Sequence, residues 1–239
     1  MPIRKITEFD ASFFNQYMMG PNAVMQVQEL LEGASLQPGM RVLDLGCGKG
    51  LTSIYLAQEY GARVFAVDLW ISAAENLRLF STFGLEDQII PLQIDAAGQL
   101  PFADGYFDAL VSVDSYQYYG SSSTYFDTHI ARLLKPNALI AIAIPGMHFE
   151  ISEEIPEEMK PYWPLEAVRS WHSIPWWQAA LTTSSAFQLE SIAEMDCFDA
   201  AWQNWMACDN PHAVQDRDVM RMDNGRYMNL IAIRGRKRG

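Results

Sequence analysis

Residues 41–50, Arg-Val-Leu-Asp-Leu-Gly-Cys-Gly-Lys-Gly, place an acid, Asp44, two positions before the first of three alternating glycines, Gly46, Gly48 and Gly50. A short apolar run precedes the glycines and Leu51 to Tyr60 read as a helix, so the order is strand, turn, helix. Without Cβ atoms such a turn lets backbone N–H groups and a helix N-terminus come close to a ligand. The spacing narrows the ligand. A dinucleotide-binding turn sets its third glycine three residues after the second, whereas Gly50 follows Gly48 by two. Asp44 would repel a pyrophosphate and suits a ligand that carries positive charge. A plain tight turn would use glycines too, so a second signal matters. Asp68 ends the next strand, where a carboxylate can accept hydrogen bonds from ribose hydroxyls or cap the helix that follows; the two roles are compatible.

Further along, Asp95-Ala96 follows Ile94 at the end of the third strand, and Leu100-Pro101-Phe102-Ala103-Asp104-Gly105-Tyr106-Phe107-Asp108 leads into the fourth. Together with Val42-Leu43-Asp44-Leu45-Gly46-Cys47-Gly48, Val67-Asp68 and the turn Leu133-Leu134-Lys135-Pro136-Asn137-Ala138, these segments resemble the successive motifs of class I S-adenosylmethionine (AdoMet) methyltransferases. The likeness covers about residues 37 to 146. It implies AdoMet contacts at Asp44, Gly46, Gly48, Asp68, Leu69, Asp95 and Ala96, with Trp70 placed to stack on the adenine or to pack in the core. It implies methyl transfer to a small-molecule acceptor. A non-catalytic AdoMet-binding subunit is the alternative, followed by a nicotinamide-dependent oxidoreductase, whose glycine spacing does not match.

The acceptor normally lies beyond the fourth strand, where Asp114 and Ser115-Tyr116-Gln117-Tyr118-Tyr119 stand. Asp114, Tyr118 and Tyr17 are the candidates to orient the acceptor or take its proton. Phosphobase methyltransferases look similar at Asp114, but their usual histidine is absent here. Six tryptophans between residues 163 and 205 form either a lid core or an aromatic wall around a cation. Five glutamates, Glu150, Glu153, Glu154, Glu157 and Glu158, give that stretch an acidic face with only Lys160 and Arg169 nearby. A phosphate would want an Arg or Lys cluster, so the expected acceptor is neutral or cationic and is not a phosphobase.

The elements that must position these residues alternate regularly. Strands read at 41–45, 63–68, 89–94, 109–113 and 139–144, and helices at 51–59, 71–83 and 124–134. Such strands separated by helices indicate a parallel sheet covered on both faces. Two helices, 12–19 and 22–32, come first, separated by Gly20-Pro21. After Pro145-Gly146 the pattern breaks, and a long insertion there reads as a functional lid. A helix at 176–185, a strand at 188–194, a helix at 200–207 and a strand at 227–233 close the chain. The expected fold is α/β: a Rossmann-like, seven-stranded, mostly parallel sheet with its last strand antiparallel. One domain is expected, divided as an N-terminal helical cap (1–36), an AdoMet-binding core (37–146), a lid insertion (147–186) and a C-terminal part of the core (187–239).

The 239 residues suffice for one α/β core, and 49% hydrophobic with 19% charged residues is the profile of a globular enzyme. A net charge of −12 argues against binding nucleic acid. The longest apolar run, Ala138 to Pro145, is too short for a bilayer, and no membrane partner is expected. Three cysteines give no disulfide framework, which suits a cytoplasmic location. Cys208 and His212 lack a second ligand pair, so no metal is expected. The closing Arg234, Arg236, Lys237 and Arg238 read as a solubilising tail.

Overall fold

The computed structural model describes residues 5–122, 124–151, 155–163 and 168–239. Seven strands form one sheet: β1 (Arg41–Leu45), β2 (Arg63–Asp68), β3 (Ile89–Gln93), β4 (Phe107–Val113), β5 (Leu134–Met147), β6 (Phe187–Glu194) and β7 (Met228–Lys237). Their order is β3-β2-β1-β4-β5-β7-β6. The first five run parallel, and β7 inserts antiparallel between β5 and β6. This is the expected seven-stranded topology.

The pleat sorts the core into two layers. Along β5, Leu139, Ala141 and Ala143 face one cluster while Ile140, Ile142 and Ile144 face the other, as period-two alternation requires. On the first face lie α2 (Ala23–Leu30), α3 (Leu51–Tyr60) and α6 (Phe198–Met206); on the second lie the segment 126–133 and α5 (Ile174–Thr182). Some of the helices start where a side chain satisfies their first N–H groups. Asp10 caps α1 (Ala11–Tyr17), Asn22 caps α2 and Ser72 caps α4 (Ala73–Thr82).

Four sequence expectations need correction. The stretch read as a regular helix at 124–134 is a π turn over Phe126–Ile130 running into a 3-10 turn over Ala131–Leu133. From there β5 starts at Leu134, so Lys135 and Asn137 lie in the strand and not in a turn before it, Asn137 at φ 65°. A further helix, α7 (Pro211–Asp223), was not anticipated. The basic end of the chain is no loose tail: the Arg234 guanidinium donates to the carbonyls of Glu29 and Glu32, and Arg236 pairs with Glu190 across β6 and β7.

The motif between β3 and β4 works as a clamp. Arg132 donates to the carbonyls of Leu100 and Phe102 and to the Asp104 carboxylate. Asp108 accepts from the Arg41 N–H and from Lys135, whose positive charge helps hold its carboxyl below the usual range. Both tie the chain leading into β4 to the elements on either side of it. Among the described residues, no helix is long and apolar enough to cross a membrane.

Candidate active site

The chain leaves β1 toward β2 on one side, while β4 pairs with β1 on the other. Crevices at such points, beyond the carboxyl ends of parallel strands, are where α/β sheets hold ligands. A cavity of about 340 Å³ opens there. Its wall combines the glycine turn, the ends of β2 and β3, the loop after β4, and residues 17–21 and Ala23 from the N-terminal segment.

The glycine turn bends through left-handed conformations at Gly46 (φ 78°), Gly48 (φ 53°) and Gly50 (φ 82°). Its N–H groups are occupied. Gly46 and Cys47 both donate to the Val67 carbonyl, Gly48 donates to Asp68 Oδ2 at 2.9 Å, and Gly50 donates to the Cys47 carbonyl. The expected N–H cradle is therefore absent at these four residues, and the turn offers close approach without donors for a pyrophosphate. At Gly46 the neighbour is protein: a Cβ there would stand 1.8 Å from Ser115 Oγ. Glycine lets the loop after β4 press onto the turn.

Asp68 is buried at the end of β2 and is not the cap of the next helix, which is Ser72. Oδ1 accepts the N–H groups of Trp70 and Ile71 at 2.8 and 2.9 Å, and Oδ2 accepts that of Gly48. Oδ2 keeps a lone pair for a ligand hydroxyl. Leu69 (51% exposed) and Trp70 (68% exposed) follow at the mouth, and Asp95 and Ala96 face the cavity from the end of β3.

Asp44 departs from the rest. It is fully buried against the first turn of α3, and its Oδ2 accepts both the Thr52 and Ser53 hydroxyls at 2.6 Å. It does not line the cavity, whereas Thr52 does. Burial pushes its carboxyl up to about 6, opposed by the two hydroxyls. Its Oδ1 is buried with no partner among the described residues, a costly state that a bound donor or water would relieve.

Tyr17, Asp114 and Tyr118, separated widely in the sequence, meet on this wall. Asp114 is half-buried and sits just past β4 at φ 53°, with its N–H bound to the Ala143 carbonyl. Burial, with the negative charge of Asp216 on α7 acting the same way, raises its carboxyl to about 7 against a Gln117 hydrogen bond that lowers it. Tyr118 is 60% exposed, and its ring meets that of Trp70 at 6.0 Å, edge to face. Tyr116 is wholly buried, and the Tyr119 hydroxyl is engaged with Ser115 Oγ and the Leu45 carbonyl.

Sequence reasoning missed the contribution of Met18, Met19, Gly20 and Pro21, which cross the cavity beside Tyr17, and of Lys49, whose ammonium donates to the Gln16 carbonyl at 3.1 Å. The Gly20-Pro21 break was the available signal: it stops α1 from continuing into α2 and lays the connection flat over the site.

None of the six tryptophans between 163 and 205 lines the cavity. Trp163, Trp177, Trp202 and Trp205 are core, and Trp176 stacks on His172. The packing reading holds and the aromatic wall does not. The described glutamates of that stretch are also engaged elsewhere: Glu150 with His172 and Ser173, Glu157 with Lys160, and Glu158 with Arg226 and Tyr227. Glu153 and Glu154 lie outside the described residues. Cys208 is buried and donates to Asn15 Oδ1, and no group of three or more His, Cys, Asp or Glu among the described residues could hold a metal ion.

Residues 43–142 match the family model of a methyltransferase domain. The chain is 33% identical over 122 residues to the glycine/sarcosine/dimethylglycine N-methyltransferase of Actinopolyspora halophila, a match covering 50% of this chain and 21% of that protein. It spans 21–41% of the length of eight curated relatives it matches. Among solved structures, the phosphoethanolamine N-methyltransferase 2 of Haemonchus contortus in complex with S-adenosyl-L-methionine superposes with a TM-score of 0.71 at 18% identity, covering 95% of this chain and 56% of that one. The geranyl diphosphate C-methyltransferase of Streptomyces coelicolor gives 0.71 at 15% identity, covering 89% and 76%. Likeness at that identity bears on the fold. By the motifs it carries, the sheet that positions them and the domain match over residues 43–142, this chain is similar to the class I S-adenosylmethionine-dependent methyltransferases.

Proposed function

We propose that this chain transfers a methyl group from AdoMet to a small neutral or cationic acceptor held beside Asp114. The observation that carries this reading is the single cavity that unites the glycine turn, Asp68, Asp95 and Asp114. AdoMet supplies an already activated sulfonium methyl. Asp68 Oδ2 would accept a ribose hydroxyl, Asp95 and Ala96 would meet the adenine edge, and Leu69 would flank its face. The closeness of approach at Gly46 and Gly48 would admit the methionine part, whose ammonium would reach the unpartnered Oδ1 of Asp44 through a water.

The remaining task is to hold a nucleophile about 3 Å from the methyl, in line, with water kept out. Met18, Met19 and Pro21 supply the apolar cover. Asp114 would orient the acceptor and take its proton, with the hydroxyls of Tyr17 and Tyr118 as hydrogen-bonding partners. A carboxyl near neutrality is suited to receive a proton at ordinary pH.

Charge on the wall favours a neutral or positive acceptor. Asp68, Asp95 and Asp114 face the cavity, and among the described lining residues Lys49 is the only cation, already spent on Gln16. The aromatic faces of Trp70 and Tyr118 at the mouth would attract a cation by about 0.5–2 kcal/mol. Three cysteines without a disulfide suit a cytoplasmic location. The test is release of S-adenosylhomocysteine from AdoMet with ethanolamine, sarcosine, catechol or phosphoethanolamine as acceptor. Turnover with one of the first three supports the reading. Preference for phosphoethanolamine would overturn the charge argument, and binding without any turnover would favour a non-catalytic AdoMet-binding subunit.

A further inference from the structure

We infer that Gln117 is the positioning residue of this site: its amide fixes Asp114 Oδ1 and leaves Oδ2, the oxygen beside Gly20 on the cavity wall, for the acceptor. The inference rests on the role given above to Asp114. Gln117 occupies the middle of a 3-10 turn, Tyr116–Tyr118, between a wholly buried tyrosine and one that faces the cavity. Its own side chain is fully buried. The amide nitrogen donates to Asp114 Oδ1 at 3.2 Å, while Oε1 is buried with no partner among the described residues.

A glutamine removed from water and only half satisfied is a poor space-filler, because an apolar chain of the same length would leave nothing unpaired. An amide offers Asp114 something an apolar chain cannot. Its NH₂ donates to a carboxylate, and after a half-turn of the terminal torsion its oxygen accepts from a carboxylic acid. Asp114 can then gain and lose a proton without leaving its place. The main chain there is already fixed by the Asp114 N–H bond to Ala143 and the left-handed turn, so Gln117 supplies the remaining restraint. The other ionisable groups around the carboxyl are Tyr118 on the same turn, Tyr17 from the N-terminal segment, Lys49 and Asp68 across the cavity, and Asp216 from α7. No described hydrogen bond joins any of them to Asp114.

The experiment follows the side-chain carboxyl of Asp114 by NMR in protein labelled with [¹³C]aspartate and saturated with S-adenosylhomocysteine, its resonance identified by Asp114→Asn. Gln117→Met keeps the shape and removes the amide. Loss of the donor should raise the Asp114 titration midpoint by about half a pH unit or more, while S-adenosylhomocysteine affinity stays within about twofold. In the wild-type protein the Gln117 side-chain amide protons should shift with the same midpoint as Asp114, a reading that needs no variant to fold. An unchanged Asp114 midpoint in Gln117→Met, or Gln117 amide protons indifferent to that titration, would overturn the inference. Failure of the protein to bind S-adenosylhomocysteine would instead strike at the cofactor reading, with the Asp114 midpoint still measurable in the free protein.

Discussion

Gly20 and Asp114 touch across the cavity wall: a Cβ on Gly20 would stand 2.5 Å from Asp114 Oδ2. The contact joins the connection between the first two helices to the strand end that would hold the acceptor. Gly20 is not among the residues with positive φ, so its backbone does not require glycine; the nearness of the carboxylate does. Gly20→Ala should fold, cost about 1 kcal/mol of stability, leave S-adenosylhomocysteine affinity nearly unchanged and lower turnover about tenfold or more. Gly46→Ala differs, because a positive φ and a 1.8 Å approach to Ser115 act together. It should lose at least about 2 kcal/mol in denaturant melts. Equal behaviour of the two variants would contradict this division.

Asp68 has a structural share, and two substitutions separate it from the ligand-binding share proposed above. Asp68→Asn keeps an oxygen for the Trp70 and Ile71 N–H groups but loses the acceptor that serves Gly48. It should stay folded and bind S-adenosylhomocysteine about tenfold more weakly. Asp68→Ala leaves three N–H groups without their partner and should lose both affinity and about 2–3 kcal/mol of stability. Calorimetric titration and thermal melts of both variants check this.

Protonation gives a third expectation. The Asp114 carboxyl titrates at about 7 in the folded chain, against an ordinary value of 3.8. Between those values the folded state keeps a proton that the unfolded state has released. The group's effect on stability therefore turns unfavourable as pH rises through this window and is fully unfavourable above it. Asp44, raised to about 6, acts with the same sign over a narrower range. Asp114→Asn removes the first contribution. Its stability relative to wild type should improve between pH 5 and pH 8 by about 1–2 kcal/mol, allowing for partial solvent screening. Parallel profiles for the two proteins would contradict it.

The cover of the site makes a fourth. Residues 17–21 line the cavity, whereas no described residue of 147–186 does. Described residues of that insertion are instead tied down by Glu158 to Arg226 and Tyr227, and by Glu150 to His172 and Ser173. Adding S-adenosylhomocysteine should slow hydrogen exchange over residues 11–23 far more than over 155–163 or 168–177. Slowing centred on the insertion would instead support it as the lid.

Most of the sheet was legible because its strands are short apolar runs separated by turn residues, and the glycine turn, Asp68 and Asp95 fall at strand ends that such runs define. Asp114, Tyr118 and Tyr17 could be named but not brought together, since their meeting depends on the path of the Met18–Pro21 connection. Helix α7 went unseen because its surface is largely polar, although Asn210 followed by Pro211 is a start signal: the Asn210 side chain accepts from the His212 N–H. The tryptophans misled for a general reason. Large aromatic side chains bury wherever space allows, and here Trp163, Trp202 and Trp205 pack in one core layer and Trp177 in the other, away from the cavity. Gln117 left no periodic signal at all; only its burial beside Asp114 marks it.

The central claim is that this cavity takes AdoMet and not a dinucleotide. Isothermal titration of the wild-type chain with AdoMet, S-adenosylhomocysteine and NAD tests it most directly. The account predicts saturable 1:1 binding of the first two, weakened about tenfold by Asp68→Asn, and no heat of binding from NAD, because the described turn N–H groups of Gly46, Cys47, Gly48 and Gly50 are already engaged. Saturable NAD binding, or AdoMet affinity indifferent to Asp68→Asn, would contradict it.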